Sequence, residues 1–259
     1  MWAEPRKIDK LEDCYFYHTM DLPVHGTVFG EWDLRGKESA YLGNTTVAGR
    51  RVLDVGTASG HLCFAMEKMG AEVVAYDLSD RDEWDIVPYA TEDFFEHIQL
   101  RKKHINLMNN GYWFAHQAFS SKSKVAYGRI YDIPESLGKF EIALVGSILL
   151  HLRDPFLALQ KIANLVSDTI IVTDVLPGQR NFIESIIPKF PYLRRYRQVK
   201  FLPDASRAKP LETWWNLSPH LVCEILKVLG FPHVEISYHR QLGRKNKVKK
   251  MFTVTGKRT

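Results

Sequence analysis

Residues 51–61 constrain the fold of this chain more narrowly than any other stretch. They read RVLDVGTASGH, a short apolar and β-branched run that passes through a carboxylate into small residues. The amphipathic segment 62–69 follows, and Gly70 ends it. The pattern predicts a strand, a glycine-containing turn and a helix, which together open a βαβ unit.

An acidic residue follows the next predicted strand, which covers residues 72–76. This residue, Asp77, lies about 20 residues beyond the turn, where an acid accepts hydrogen bonds from ribose hydroxyls in nucleotide-binding α/β folds. Glycines at the turn let the backbone approach a ligand, and the following helix offers free N–H groups. The turn and the acid therefore predict a nucleoside site, with a purely structural turn as the alternative.

Two common phosphate-binding turns do not fit this stretch. A dinucleotide turn has glycine at positions 56, 58 and 61, but this chain has Ala58 and His61. A P-loop requires Gly-Lys-Ser/Thr, which is absent from the turn. The remaining interpretation is a nucleoside that carries no pyrophosphate.

Residues 53–60 and Asp77 resemble motifs I and II of the class I S-adenosylmethionine-dependent methyltransferases. The resemblance implies an α/β fold, a doubly wound seven-stranded sheet with a reversed terminal β-hairpin. It also implies S-adenosyl-L-methionine as the cofactor and S-adenosyl-L-homocysteine as its product. The expected cofactor-binding residues are Asp54, Gly56, Thr57, Ala58, Gly60, Asp77, Leu78, Asp132, Ile133 and Gly146.

Asp132 and Ile133 follow the third predicted strand, at residues 124–128. An acid at this position can accept a hydrogen bond from the adenine amine, and Ile133 can supply an apolar contact. A turn-forming aspartate before Pro134 is the alternative.

Composition limits the class of protein. The chain has 259 residues, of which 45% are hydrophobic and 25% charged, as in ordinary globular proteins. No apolar run is long enough to span a membrane and no signal peptide is evident, so we expect a cytoplasmic location. The three cysteines suggest neither a metal site nor a disulfide framework. The net charge of +5 is compatible with nucleic acid without requiring it.

The order of predicted elements suggests an aromatic cap segment at residues 1–50 and a methyltransferase domain at residues 51–259. An irregular insertion at about 175–216 is long enough to be a second cap. We also expect a helix over 91–109 that ends at Gly111, with a short helix starting at Tyr112. Two final strands, 234–238 and 251–255, are expected to flank a basic loop.

Several side chains are candidates for the methyl acceptor site. His151 ends the fourth predicted strand, and Tyr17 and His18 carry polar tips in the N-terminal segment. His151, His18 and Tyr17, in that order, are the candidate catalytic bases, although a structural histidine would also explain His151. The expected substrate-binding residues are Tyr17, His18, Trp32, Trp214, Trp215 and Asn216; core packing is the alternative for Trp32.

Further segments resemble a methyltransferase branch that contains the tRNA wobble-uridine carboxymethyltransferases. They are residues 16–18, 30–35, 112–116, 150–155 and 215–218. The short N-terminal region, and Leu150 where those enzymes have tyrosine, depart from the tRNA pattern and are similar to the shorter relatives of that branch. These departures favour ordinary S-adenosylmethionine as the donor.

The resulting hypothesis is methyl transfer to the oxygen, nitrogen or sulfur of a small molecule enclosed by the two cap segments. The alternative is an RNA-modifying methyltransferase that uses the basic residues of 194–200 and 240–250. The sequence does not determine the oligomeric state or predict a membrane partner.

Overall fold

A seven-stranded sheet organises the chain. The computed structural model describes residues 2–176, 198–207, 209, 212–244 and 247–259. Its strands are β1 (Met20–Leu22), β2 (Gly26–Val28), β3 (Arg51–Val55), β4 (Glu72–Asp77), β5 (Lys124–Tyr127), β6 (Phe140–Gly146), β7 (Val166–Val175), β8 (Val199–Phe201), β9 (Trp215–Leu217), β10 (His233–Gly243) and β11 (Lys247–Lys257). Its α-helices are α1 (Glu38–Tyr41), α2 (His61–Lys68), α3 (Phe95–Ala118), α4 (Pro155–Ala163) and α5 (Pro219–Val228).

The strand order in the large sheet is β10-β11-β7-β6-β3-β4-β5. Strands β3 to β7 run parallel, whereas β11 pairs antiparallel with both β7 and β10. The parallel strands are continuously apolar because helices cover both faces, as in β3, where the four residues after Arg51 are buried. The doubly wound sheet with a reversed terminal hairpin is therefore confirmed.

Two apolar cores lie on opposite faces of this sheet. One packs α4 and α5 against it through residues such as Leu159 and Leu226. The other contains α2, part of α3 and the N-terminal segment, including Phe16 and Trp113. The sheet is thus buried on both sides, and its strand ends remain as the place for a ligand.

The starts of α4 and α5 confirm the sequence interpretation of their caps. The side chain of Asp154 accepts a hydrogen bond from the Leu157 N–H at 2.9 Å, and Pro155 occupies the first turn. Ser218 accepts from the Leu221 N–H at 3.1 Å, with Pro219 in the same role. Asp154 is therefore explained by capping alone.

The expectation of a helix break at Gly111 is wrong. Helix α3 runs without interruption from Phe95 to Ala118. Gly111 is needed for close packing, since a Cβ there would lie 2.5 Å from the carbonyl oxygen of Tyr15. Among the described residues, neither α3 nor any other helix is both long and apolar enough to cross a membrane.

The expected basic loop at 240–250 is largely a β-ribbon. Strands β10 and β11 pair over eleven residue pairs, from His233↔Lys257 to Gly243↔Lys247. Only Met251–Lys257 also pairs with β7, so the outer half extends beyond the large sheet. An antiparallel bridge between Asp33 and Leu242 joins this half to the N-terminal segment, which explains why the pairing continues there.

The two expected cap segments differ in how much of each is described. The N-terminal segment is tied to the sheet at its start, where the Ala3 N–H donates to the Val125 carbonyl at 2.8 Å. In the predicted insertion, β8 and β9 pair as a two-stranded antiparallel sheet. Arg194–Arg197, which contributed to the RNA alternative, lie outside the described residues.

We predict that Gly111→Ala destabilises the protein by about 1–3 kcal/mol, because the methyl group would displace the Tyr15 backbone. Helix propensity alone favours alanine by about 1 kcal/mol. A lower free energy of unfolding in Gly111→Ala would therefore come from the packing contact. Urea unfolding measures the change. Lys103→Ala on the exposed face of α3 is the control; a Gly111→Ala variant as stable as the parent would contradict the prediction.

Candidate functional site

A cavity opens at the carboxyl ends of β3, β4 and β6 and is covered by the N-terminal segment. It is the position at which open α/β sheets bind ligands. Its walls include these residues: Tyr17, His18, Trp32, Tyr41, Asp54, Gly56, Thr57, Ala58, Asp77, Leu78, Trp84, Asp85, Gly128, Arg129, Tyr131, Gly146, Ser147, Ile148, His151, Glu212 and Met251.

The turn after β3 requires glycine at its first position. Gly56 has φ +76°, and a Cβ there would lie 2.5 Å from Cγ2 of Ile148. The Gly56 N–H donates to the Tyr76 carbonyl at 2.8 Å, which holds the turn against the end of β4. A bare backbone therefore faces the cavity beside Ile148.

Asp77 joins the ends of β3 and β4. One carboxylate oxygen accepts from the Ala58 N–H at 2.7 Å, and the other accepts from the Leu78 N–H at the same distance. Burial raises the pKa of Asp77 to about 6, against these two hydrogen bonds, which lower it. Each oxygen retains a lone pair for a ligand hydroxyl.

A second carboxyl group, that of Asp54, is buried at the end of β3. It accepts a hydrogen bond from the Thr57 hydroxyl at 2.7 Å. Burial raises the pKa of Asp54 to about 7, and the nearby charge of Asp77 adds to the rise. Two carboxyl groups thus line one end of the cavity and favour a ligand part that donates hydrogen bonds or carries positive charge.

The N-terminal segment is fastened to the glycine turn by Ser59. The buried Ser59 hydroxyl accepts from the backbone N–H groups of Tyr17 at 3.1 Å and His18 at 3.4 Å. The indole N–H of Trp32 donates to the Tyr17 hydroxyl at 3.2 Å. These bonds bring Tyr17, His18 and Trp32 to the cavity wall. The substrate contacts expected of them stay a prediction.

His18 and Tyr17 are uncharged in this environment. Burial lowers the pKa of His18 to about 3, and the nearby His61 adds to the effect. The buried Nδ1 of His18 has no hydrogen-bond partner among the described residues. Burial also raises the pKa of the Tyr17 hydroxyl. Both groups are better suited to hydrogen bonding with a ligand than to accepting its proton.

His151 lies in a single 3-10 turn after β6. Its Nδ1 is 2.5 Å from the backbone carbonyl oxygen of Glu212. A carbonyl only accepts, so Nδ1 carries the proton and Nε2 keeps its lone pair. Burial lowers the pKa of His151, which keeps the ring neutral at pH 7. His151 therefore has the protonation state of a general base.

Three predicted cofactor residues lie outside the cavity wall. Asp132 is exposed, and the adjacent Ile133 is buried in the apolar core instead. The 3-10 turn at Ile130–Asp132 rotates the chain after β5, so the wall is formed by Gly128 to Tyr131. Gly60 precedes α2 with φ +90° and packs against Phe64. It shapes the turn without facing the cavity.

Trp214, Trp215 and Asn216, which were predicted to contact the substrate, lie outside this cavity wall, and their role in substrate binding stays a prediction. The Trp214 indole N–H donates to the Asp85 carbonyl, and the Trp215 indole N–H donates to the Arg153 carbonyl at 3.2 Å. Asn216 pairs with Lys200 between β8 and β9. In this segment, Glu212 reaches the cavity wall instead.

Several wall residues were not predicted from the sequence. Tyr41 and Ser147 meet at 3.2 Å between their hydroxyl oxygens, directly over Gly146. Met251 reaches the wall because β11 lies beside β7. Ser147 has φ +53°, a strained value that the sequence does not reveal. The sequence could have pointed to Ser147 as a wall residue because it lies close to His151 in the chain. The wall positions of Tyr41 and Met251 follow only from the topology of the fold.

The sequence matches the family model of a methyltransferase domain over residues 30–220. This match covers most of the chain. The protein belongs to the methyltransferase-domain family. The prediction that the protein is a methyltransferase is therefore confirmed. Its resemblance to the branch that contains the tRNA wobble-uridine enzymes remains a prediction. No curated protein matches the sequence.

Solved structures share the fold at low sequence identity. The Burkholderia thailandensis 1,6-didemethyltoxoflavin-N1-methyltransferase, with 1,6-didemethyltoxoflavin and S-adenosylhomocysteine bound, is 15% identical, with a TM-score of 0.50. The match covers 86% of this chain and 77% of that one. The magnesium protoporphyrin IX methyltransferase of Synechocystis PCC 6803 with bound S-adenosylhomocysteine is 12% identical, with a TM-score of 0.49. That match covers 85% and 80% of the two chains.

A third carboxyl group, that of Asp174, is buried at the end of β7. The Val175 N–H donates to it at 2.6 Å, and the neighbouring Thr173 carbonyl accepts from the Ser147 N–H at 2.7 Å. Burial raises the pKa of Asp174 to about 7. The native state therefore holds this proton more tightly than the unfolded chain, and the free energy of unfolding falls as pH rises from about 4 to 7.

We predict that Asp174→Asn stabilises the protein at pH 8 by at least about 1 kcal/mol relative to its effect at pH 4. The amide keeps the acceptor for the Val175 N–H and removes the buried charge. Thermal unfolding at both pH values measures the difference. The exposed Asp80→Asn is the control, and an equal effect of Asp174→Asn at the two pH values would contradict the prediction.

Proposed function

We propose that this protein transfers a methyl group from S-adenosylmethionine to a small-molecule acceptor. The observation that carries the proposal is a single cavity with two kinds of wall. The glycine turn and Asp77 form one part, and Tyr17, His18, Trp32 and His151 contribute to the rest. A donor and an acceptor can therefore meet in one enclosed space.

The donor part of the cavity fits a nucleoside sulfonium. The Gly56 backbone forms part of the cavity wall, and the Asp77 oxygens have free lone pairs for ribose hydroxyls. Asp54 lies at the same end and suits a positively charged ligand group. The S-adenosylhomocysteine in similar solved structures supports the same cofactor here.

Bound S-adenosylmethionine supplies an activated methyl group whose sulfonium is already a good leaving group. The protein's own contribution is to align the acceptor and to exclude water. The N-terminal segment does this by covering the strand ends through the Ser59 bonds. Tyr17 can donate its hydroxyl proton to an acceptor atom while it accepts from Trp32.

His151 is the best-placed base for an acceptor that must lose a proton. Its Nε2 carries the lone pair because Nδ1 is held by the Glu212 carbonyl. His18, with a pKa of about 3, is a weaker base and serves as a neutral polar contact. An oxygen or nitrogen acceptor would use His151, whereas a thioether would need no base.

The lining of the cavity supports a small acceptor. The acceptor part contains aromatic and apolar side chains, including Trp32, Ile148 and Met251, with few polar tips. Small-molecule sites have this composition. An RNA acceptor would instead require an open basic approach. In the described part of the terminal ribbon, the Arg244 guanidinium is paired with Glu31, which reduces its availability for phosphate.

We predict that Asp77→Ala weakens binding of S-adenosylmethionine by on the order of 1.5–3 kcal/mol, because a charge-assisted bond to the ribose is lost. Titration calorimetry measures the change. In the unmutated protein, affinity should also fall as pH drops through about 6, where Asp77 becomes protonated. That fall should be smaller in Asp77→Ala. Absence of binding by the unmutated protein would refute the donor assignment.

We predict that Tyr17→Phe and His18→Ala each lower turnover of a small-molecule acceptor and leave donor affinity nearly unchanged. Release of S-adenosylhomocysteine, with acceptors drawn from a small-molecule panel, measures turnover. Combined Lys247→Ala, Lys249→Ala and Lys250→Ala substitutions on the ribbon are the matched control and should have little effect. Salt-sensitive activity on RNA that disappears in the triple lysine variant would support the RNA alternative instead.

A further inference from the structure

Glu212 contacts His151 through its backbone and helix α3 through its side chain. The Glu212 carbonyl oxygen lies 2.5 Å from Nδ1 of His151. The carboxylate accepts from Nε2 of His97 at 2.8 Å and from Nε of Arg101. The two groups of one residue thus connect the candidate base to α3, whose residues His104 and Met108 also line the cavity.

This connection lies in a well-packed environment. The side chain of Glu212 is 19% exposed, so its ion pair with Arg101 is partly shielded from water. The Arg101 guanidinium also lies 5.1 Å from the ring centroid of Trp84, another wall residue. Arg101 is therefore held from two sides, which fixes the position of the carboxylate.

The chain after Glu212 is fastened at two further points. The Trp214 backbone N–H donates to the Leu150 carbonyl at 2.8 Å, one residue before His151. The Trp214 indole donates to the Asp85 carbonyl. Segment 212–214 therefore lies across the 3-10 turn that carries His151, with the Glu212 carboxylate as its anchor on α3.

We propose that Glu212 is a positioning residue for His151. By anchoring segment 212–214 to α3, its carboxylate keeps its own carbonyl on Nδ1, which holds the ring orientation and the tautomer with a free Nε2. During methyl transfer from bound S-adenosylmethionine, the acceptor O–H or N–H bond would break, its proton would move to Nε2, and an acceptor electron pair would form the new bond to the methyl carbon. The methyl–sulfur bond would break in the same displacement, and its electron pair would stay on the sulfur of the leaving S-adenosylhomocysteine. This role rests on the proposed function of His151.

The ring tautomer tests the inference without an activity assay. In protein labelled with ¹⁵N-histidine, we expect His151 to be protonated on Nδ1 alone at neutral pH. Glu212→Ala should introduce the Nε2-protonated form, and Arg101→Met should do the same in part.

Glu212→Gln should keep most of the native tautomer, because its amide oxygen can still accept from α3. Glu141→Gln removes a comparable Arg50 ion pair elsewhere and is the control.

Turnover provides a second readout. We expect kcat to fall at least about tenfold in Glu212→Ala and less in Glu212→Gln, within the range that a general base contributes. The Glu212 carboxylate and carbonyl both raise the pKa of His151 against burial. Removal of the carboxylate in Glu212→Ala, with displacement of the carbonyl, should therefore lower the pKa of His151. The acid limb of the pH profile of kcat should then move to lower pH.

The outcomes separate this inference from the proposed function. A native tautomer and an unshifted pH profile in both Glu212→Ala and Arg101→Met would overturn the positioning role. Full activity in His151→Ala, with a changed tautomer in Glu212→Ala, would remove the base assignment and leave the positioning contact intact. If circular dichroism shows that Glu212→Ala does not fold, the tautomer and the pH profile of Arg101→Met decide the question.

Discussion

The hydrogen bond from the Ala58 N–H to the half-buried Asp77 carboxylate is the contact on which the site depends. It joins the turn after β3 to the end of β4, at 2.7 Å. The desolvation cost of this carboxylate is visible in its pKa of about 6. Such a cost is characteristic of functional carboxyl groups, because burial prepares the group for a ligand while it weakens the fold.

A second consequence of this turn is the placement of the N-terminal segment. Ser59 lies in the same turn, and its hydroxyl accepts from the backbone of Tyr17 and His18. Tyr15, just before Tyr17 and His18 in the chain, lies in close contact with Gly111 of α3. This contact holds the N-terminal segment against α3. The proposed donor and acceptor surfaces therefore both depend on one turn, and a shift of that turn would disturb both.

The elements with strong local signals could be predicted from the sequence. The buried strands, the glycine turn and the Asp154 and Ser218 caps carry patterns with a direct physical cause. Gly111 misled the prediction because a glycine that permits close packing looks the same in sequence as one that ends a helix. The wall roles of Tyr41, Met251 and Glu212 depend on long-range packing, which single-sequence patterns do not contain. Asp132 lies outside the cavity wall because a 3-10 turn follows β5, and the wall is formed by the residues just before it in the chain.

The buried Asp54 and Asp174 and the half-buried Asp77 all lie at the carboxyl edge of the sheet, where parallel strands end together. Burial raises the pKa of each. A fold selected only for stability would place neutral side chains there, since an unpaired buried charge is costly. A cationic sulfonium ligand in the cavity would offset part of that cost for Asp54 and Asp77, which line it, by stabilising their ionised forms. The carboxyl groups at this edge can therefore lower the free energy of unfolding in the free protein and raise it in the complex. Ligand binding is thereby coupled to stability.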